Sequence, residues 1–224
     1  MSTWWRRNRW ALLALPFLIV LAGAASSYRI ITSWQPWQLT DPVEGAAGEQ
    51  VRLVDEIVDA GDGYTIDVLL GAGPAQQVTS GTDTYGETQA VPEVPGTVVW
   101  RTDLTVTADP DVILTGCQLR LVDDQGRETA YSSVRPGISL SLSPCVPADT
   151  PGPVPESIFE LEENPAPRPE TYTLPLLFRT ADDFVPARLD VFWERPTYAA
   201  LQLTAEPAPD QGATSSDTTE PEEG

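Results

Sequence analysis

The chain has 224 residues and a formal net charge of −20, and it contains neither histidine nor lysine. The residues after Thr40 hold nine arginines and 33 acidic residues, and their 24 net negative charges exclude a protein that binds nucleic acid. The absence of histidine excludes Ser–His and Cys–His catalysis and histidine-based metal sites, so we expect no enzyme, no catalytic residue, no metal and no cofactor.

The first forty residues predict a membrane anchor. Residues 10–28 are uncharged and mostly apolar, and as a helix they would reach roughly 28 Å, close to the hydrocarbon thickness of a bilayer. The arginines that precede them predict a cytoplasmic N-terminus of residues 1–9; they are Arg6, Arg7 and Arg9. The aromatic residues expected at the two membrane interfaces are Trp4, Trp5, Trp10, Tyr28, Trp34 and Trp37. We therefore expect a single-pass plasma-membrane protein whose C-terminal part is extracellular.

A cleavable signal peptide is the alternative interpretation of this segment. Its basic start and apolar middle are followed by Ala22-Gly23-Ala24, which resembles a cleavage site. Cleavage there would leave a secreted protein that begins near Ala25. The signal anchor is favoured because large apolar residues continue to Leu21 and aromatic residues resume just beyond.

After the anchor, the sequence predicts a mainly β domain. A juxtamembrane segment (29–50) leads to a domain (51–204), and an acidic tail (205–224) is expected to be disordered. The clearest strand is Thr97–Thr107, where apolar residues alternate with polar ones. Period-two patterns also occur at Tyr64–Leu70, Cys117–Val122, Ile138–Leu142, Tyr172–Phe178, Leu189–Trp193 and Leu201–Leu203, and less cleanly at Val51–Val58. With Gly/Pro-rich turns between them, eight or nine such strands predict an antiparallel β-sandwich.

The two cysteines and the prolines add two further expectations. An isolated cysteine pair in an exported domain predicts a disulfide between Cys117 and Cys145, with a reactive thiol as the alternative. The proline-rich stretch 143–171 is expected to cross between sheets or around a sheet edge. Within it, residues 155–163 could form a short helix.

The order of these segments resembles the exported immunoglobulin-like domains of unknown function in Gram-positive bacteria. The resemblance covers about residues 97–195 and rests on the strand 98–106, the linker Asp109-Pro110, the strand and D-x-x-G turn at 119–127, and the late strands 172–178 and 188–193. It implies an immunoglobulin-like antiparallel sandwich, and it brings no catalytic residues with it.

Candidate chemical sites are few, and each has a simpler structural interpretation. Neighbouring acids occur at Asp55-Glu56, Asp123-Asp124, Glu162-Glu163 and Asp182-Asp183, and residues 59–63 offer oxygen ligands for calcium. With 33 acidic residues such neighbours arise by chance, so we interpret them as solvated surface residues. Trp100 and Trp193 fall on predicted inward faces, which favours core packing over carbohydrate stacking.

These features predict a non-catalytic interaction or accessory module at the cell envelope, with a protein partner there. The alternative is a domain that binds an envelope glycan or a divalent cation. A hydrolase that uses paired carboxylates is a third interpretation, and it would require two acids with strongly perturbed titration in a cleft. The oligomeric state is left open.

Overall fold

The computed structural model of the protein describes residues 2–29, 38–58, 63–83, 86–132, 143–154 and 166–206. Its one described helix, α1, spans Ser2–Arg29 and includes Pro16. The part Arg7–Ser27 is long and apolar enough to cross a membrane, with a mean hydropathy of 1.9. The apolar helix expected at residues 10–28 is therefore present, and it extends further toward the N-terminus.

Thirteen strands follow in the described part of the chain. They are β1 (Asp41–Gly45), β2 (Gln50–Ile57), β3 (Tyr64–Ala72), β4 (Ala75–Gln77), β5 (Ser80–Thr82), β6 (Thr88–Ala90), β7 (Thr97–Thr107), β8 (Gln118–Asp123), β9 (Glu128–Ala130), β10 (Thr171–Ala181), β11 (Pro186–Phe192), β12 (Thr197–Gln202) and β13 (Ala205–Glu206). The protein is thus mainly β, as the alternating patterns predict.

The strands form two large sheets and one hairpin. Sheet A has the order β1-β12-β11-β8-β9, and sheet C is the β5–β6 hairpin. In sheet B, β7 is flanked by β10 on one side and by both β3 and β4 on the other, with β2 beyond β3 and β13 beyond β4. Most pairs are antiparallel, but β1 with β12 and β13 with β4 are parallel, which differs from the purely antiparallel arrangement expected.

A shared apolar core lies between sheets A and B. Sheet A contributes Leu121 and Leu189, and sheet B contributes Leu53 and Leu104, all of them fully buried in one cluster. Trp100 and Trp193 belong to the same cluster, which confirms their inward direction. The indole Nε1 of Trp193 donates a hydrogen bond of 3.0 Å to the carbonyl of Leu114.

Strand β7 pairs with β10 along its whole length, from Thr97 opposite Ala181 to Thr107 opposite Thr171. The carbonyl of Asp103 accepts a hydrogen bond from Gly73 N (2.8 Å), so the backbone of Asp103 faces away from β10. Pro175 lies opposite Asp103. Its nitrogen, which has no hydrogen to donate, therefore faces the open edge of β10, where proline is tolerated and blocks further strand addition.

The predicted disulfide is present. Cys117, directly before β8, is bonded to Cys145, with a Cα–Cα distance of 6.1 Å, and both cysteines are buried. Tyr172 on β10 donates a hydrogen bond from its hydroxyl to the carbonyl of Cys145 (2.7 Å). The bridge therefore fixes the segment 143–154 against both sheets.

Arg168 is buried where three connecting segments meet. Its Nη2 donates to the carbonyl of Asp109 (2.7 Å), while Nε and Nη1 have no hydrogen-bond partner among the residues that the structure describes. Burial lowers the pKa of Arg168. Gly152 packs on this side chain at a φ of +74°, and a Cβ there would lie 3.0 Å from Arg168 Cβ, so glycine suits the position for both reasons.

Several expectations about chain organisation need correction. Asp41–Gly45, placed by the sequence in the juxtamembrane segment, is the edge strand β1 of sheet A, and Ala205–Glu206, placed in the tail, is β13. The described strands number thirteen rather than eight or nine because β1, β4, β5, β6 and β13 are too short to show an alternating pattern. The features predicted at Ile138–Leu142, 155–163 and 207–224 lie outside the described residues.

We expect the double variant Cys117→Ala/Cys145→Ala to be less stable than the wild type by about 3 kcal/mol, because the bridge restricts the unfolded chain. Guanidinium denaturation of the full chain in detergent, followed by tryptophan fluorescence, measures the loss. Reductant should shift the wild-type transition and leave that of the double variant in place. An unchanged denaturation midpoint of the wild type in the presence of reductant would contradict a stabilising role of the disulfide.

Candidate functional site

An ionic network covers the outer face of sheet A. The Asp190 side chain is fully buried and accepts hydrogen bonds from Arg120 (Nε to Oδ2, 3.0 Å) and Arg188 (Nε to Oδ1, 2.6 Å). Arg120 Nη1 also pairs with Glu128 Oε1 at 2.7 Å. The hydrogen bond that Arg188 donates to Asp190 raises the pKa of Arg188. The network connects β8, β9 and β11, and its carboxylates pair with arginine side chains.

Aromatic side chains continue the same face toward the end of β11. Phe192, Tyr198 and Ala200 are buried together, and Leu39 packs against them. The Arg188 guanidinium lies 6.0 Å from the centre of the Tyr198 ring, and burial raises the pKa of Tyr198. These contacts give the face an apolar part beside its charged part.

A groove of about 530 Å³ opens next to this apolar part and to the disulfide. Its lining includes Gln118 and Phe192 on the sheet, with Pro144 beside the bridge and Gln38 and Leu39 from the segment that precedes β1. Gln38 is only nine positions after the last residue of α1. The groove therefore lies where the chain passes from the apolar helix into the β domain.

The position of the groove wall is fixed by the backbone. The amides of Thr40 and Asp41 both donate to the carbonyl of Pro196, at 3.1 and 3.2 Å. This contact holds the segment before β1 against the β11–β12 turn, which contributes Arg195 to the groove.

Arg195 differs from the other described arginines of the β domain. Its guanidinium lies 5.3 Å from the centre of the Phe192 ring, and among the described residues no carboxylate or hydrogen-bond acceptor contacts it. Arg120 and Arg127, by contrast, each contact two carboxylates. In a domain with a large excess of acidic residues, a half-buried arginine without a carboxylate is a candidate binding group for an external anion.

A second groove, of about 830 Å³, lies on the outer face of sheet B. The sheet C hairpin and the loop at 91–96 cover a small apolar cluster of Val91, Val99 and Leu177 there. Arg179 closes one side by donating to Pro92 O (2.8 Å) and Thr97 Oγ1 (3.1 Å). This groove is more apolar, and its arginine is engaged by the protein itself.

The acidic pair Asp123-Asp124 departs from the surface interpretation. Asp123 is buried, and its Oδ1 accepts hydrogen bonds from the amides of Gln125 (3.0 Å) and Arg127 (2.7 Å). Burial acts to raise the pKa of Asp123, but these bonds and the Arg127 side chain outweigh it and lower the pKa. Arg127 also pairs with Asp183 Oδ2 (2.8 Å), so it connects the D-x-x-G turn of the β8–β9 hairpin to the turn between β10 and β11.

Asp55 also departs from the surface interpretation. It lies on the core-facing side of β2 with Leu53 and Ile57, and its Oδ2 is buried with no hydrogen-bond partner in the described part of the chain. Burial raises the pKa of Asp55, and the charges of Glu194 and Glu56 raise it further. Within the described residues no group of three or more acidic or cysteine side chains is arranged to hold a metal. The calcium candidate at 59–63 lies outside the described residues except for Gly63.

The other residues predicted from the sequence lie on or near α1. Trp4 and Trp10 are exposed on the helix, and the Arg9 guanidinium is 5.6 Å from the Trp10 ring centre. Trp5, Arg6, Arg7 and Tyr28 also belong to α1, whereas Trp34 and Trp37 lie outside the described residues. Of the predicted site residues that the structure describes, only Cys117 lines the groove, with Cys145 bonded to it. Sequence reasoning missed Arg195 and Phe192, although Phe192 follows the outward alternation of Arg188 and Asp190.

No protein-family model matches the chain, and no curated protein sequence matches it significantly. Among solved structures, the chain is similar to one described as a "putative lipoprotein" from Staphylococcus aureus, with 10% sequence identity and a TM-score of 0.29. The similarity covers 70% of this chain and 100% of that one. A TM-score of this size does not assign the β domain to that protein's fold.

We expect Asp55→Asn to stabilise the protein slightly at neutral pH. The folded-state pKa of Asp55 is raised, so its ionised form costs stability once the pH exceeds the unfolded value of 3.8. The amide removes that cost and keeps the acceptor for Glu56 N. Asp67→Asn, on the neighbouring strand, is the matched control with the opposite sign, because Arg52 lowers the pKa of Asp67.

Melting temperatures of both variants at pH 7 and pH 3 test this pair of signs. The gain from Asp55→Asn and the small loss from Asp67→Asn should both shrink at the lower pH, where the wild-type carboxyls are largely protonated in the unfolded chain. A loss of stability in Asp55→Asn at pH 7 would contradict the unfavourable burial of this carboxylate.

Asp123→Asn is expected to lower the melting temperature at neutral pH, because the amide cannot pair with Arg127. The folded-state pKa of Asp123 is lowered, so its stabilisation is present above the unfolded value of 3.8 and is lost as the pH falls through the folded value. Asp124→Asn, an exposed neighbour, is the control and should change little. Equal effects of the two substitutions at pH 7 would contradict a stabilising role of the Asp123–Arg127 pair.

Proposed function

We propose that the protein is a non-catalytic, membrane-anchored module that binds a protein partner outside the cell through the groove beside the disulfide. The observation that carries this proposal is Arg195, a half-buried arginine that contacts no described carboxylate although the domain is strongly acidic. It supplies a positive charge at the groove, next to the apolar surfaces of Leu39 and Phe192. A partner that fits presents a carboxylate beside an apolar side chain.

The position of the groove supports a partner that is itself at the membrane. The nine residues from the end of α1 to Gln38 span at most about 30 Å when fully extended. With α1 retained as a signal anchor and its arginines in the cytoplasm, the groove stays within that distance of the outer membrane surface. The groove would therefore be close enough to the membrane to contact the extracellular part of a membrane complex.

The finer features of the fold belong to the same proposal. Two facing sheets, a buried tryptophan on each side of the core and a disulfide support an immunoglobulin-like sandwich. Such sandwiches commonly serve as binding modules, and a core filled with apolar side chains is consistent with a role that does not involve catalysis. The mass of the mature N-terminus from the native host tests the anchor: an intact start supports it, and a start near Ala25 contradicts it.

Site-specific photocrosslinking in native membranes tests the binding surface. A photoreactive phenylalanine in place of Gln118, an exposed residue of the groove, should give a defined adduct with one membrane protein. The same probe in place of Thr171, which is exposed on sheet B, is the matched control and should not give this adduct.

The charge of Arg195 should decide the yield of that adduct. Arg195→Glu should reduce the Gln118 adduct at least tenfold, which corresponds to about 1.4 kcal/mol, while Arg195→Lys should retain part of it. An adduct that is indifferent to Arg195→Glu, or no adduct from the groove at all, would refute the proposed surface.

A further inference from the structure

We propose that β2 is a self-association edge, at which two copies of this chain pair their β2 strands antiparallel about a two-fold axis at Val54. This surface is separate from the groove of Arg195, and the inference does not depend on the partner proposed for that groove. It rests on the open backbone of β2, on the charges along it and on the protection of the other described sheet edges.

The outer edge of β2 carries no strand partner among the described residues. The β2–β3 pairing is antiparallel and regular from Gln50 to Ile57. In each strand, alternate residues point their backbone N–H and C=O groups to opposite sides. The backbone of Asp103 on β7 faces β3, and the registers of β7 with β3 and of β3 with β2 extend this alternation across the sheet. The backbone groups of Arg52, Val54 and Glu56 therefore point away from β3. Arg52 and Val54 therefore offer unpaired donors and acceptors along the edge, and Glu56 offers its carbonyl, while its N–H donates to Asp55 Oδ1 of the preceding residue (3.1 Å).

Other described edges are less suited to strand addition. The β10 edge carries Pro175, and the sheet A edges are β1, which contains Pro42, and β9, which has three residues. The β2 edge has eight residues and no proline. Pairing at β2 would therefore close after two copies and would not continue into a fibre.

The side chains along β2 are self-complementary when Val54 faces Val54 of a second copy. In that register Arg52 lies opposite Glu56, twice over, and the two valines meet at the axis. Shifting the register by two residues places a charge opposite valine, and a parallel arrangement places Arg52 opposite Arg52. The charges therefore select one antiparallel register.

The exposure of these residues fits an interface that is open in the single chain. Val54 is 55% exposed, and Leu69, next to Arg52 on β3, is 36% exposed. Arg52 donates to Asp67 through Nε (2.8 Å) and Nη2 (2.6 Å), which leaves Nη1 for a second carboxylate. Glu56 is exposed and has no arginine partner among the described residues. The contact area is small, so we expect a weak dimer that depends on confinement in a membrane.

Disulfide trapping of the full chain in lipid vesicles tests the pairing. Val54→Cys places two thiols opposite each other at the axis, where paired strands hold Cα atoms about 5.5 Å apart, within disulfide range. We expect a covalent dimer on mild oxidation. Val94→Cys, at a valine that is 44% exposed but lies outside β2, is the control and should give at least tenfold less. Equal yields from the two cysteines would overturn the proposal.

Charge variants in the Val54→Cys background separate pairing from a folding defect. Arg52→Glu alone and Glu56→Arg alone each set like charges opposite each other, and we expect about tenfold less dimer from each. Mixing the two variants in one vesicle restores opposite charges at both positions, so the mixed dimer should return to the wild-type yield. A mixture that stays as low as the single variants would refute the register, whatever the groove variants show.

Discussion

The pairing of β7 with its neighbours is the constraint on which the rest of the domain depends. Its inward residues, including Trp100 and Leu104, fill the core, and its two edges receive β10 on one side and both β3 and β4 on the other. Because β7 is fully paired, the sheet can end only at β2, β13 and β10. Of these three edges, β10 carries Pro175, β13 has two residues, and β2 has eight residues without a proline.

Charge organises the outside of the domain as the apolar core organises its inside. Five of the eight described arginines of the β domain lie against carboxylates. Arg120 and Arg188 pair with Asp190, Arg127 pairs with Asp123 and Asp183, Arg52 pairs with Asp67, and Arg101 pairs with Asp103. Exposed pairs of this kind add little stability, but the buried Asp190 and Asp123 depend on their arginines. With so many arginines engaged by the protein itself, Arg195 stands out as a positive charge that is available to another molecule.

Sequence reasoning predicted the elements whose pattern is local. Thr97–Thr107 was recognisable to the residue because apolar and polar residues alternate at nine of its eleven positions, with Val99 and Thr102 as the exceptions. The cysteine pair followed from composition and expected location. Strands such as β4 and β13 have two or three residues and form only because a neighbour supplies hydrogen-bond partners. The burial of Asp190 depends on the strand register, and the lack of a described carboxylate at Arg195 depends on where the other charged side chains lie. Neither can be read from the spacing of residues along the chain.

The topology also dictates when the domain can be completed. Thr107 at the end of β7 pairs with Thr171 on β10, which lies 64 residues later in the chain. Among the described strands, β1 comes first and pairs only with β12. If the chain were exported from its N-terminal end, β7 would emerge before β10, and one edge of β7 would stay unpaired until the C-terminal third of the chain had passed. A truncation before β12 would leave β1 without its partner in sheet A and would remove β13 from sheet B, so both sheets would be incomplete. The domain can therefore complete its folding only when nearly all of its residues are present.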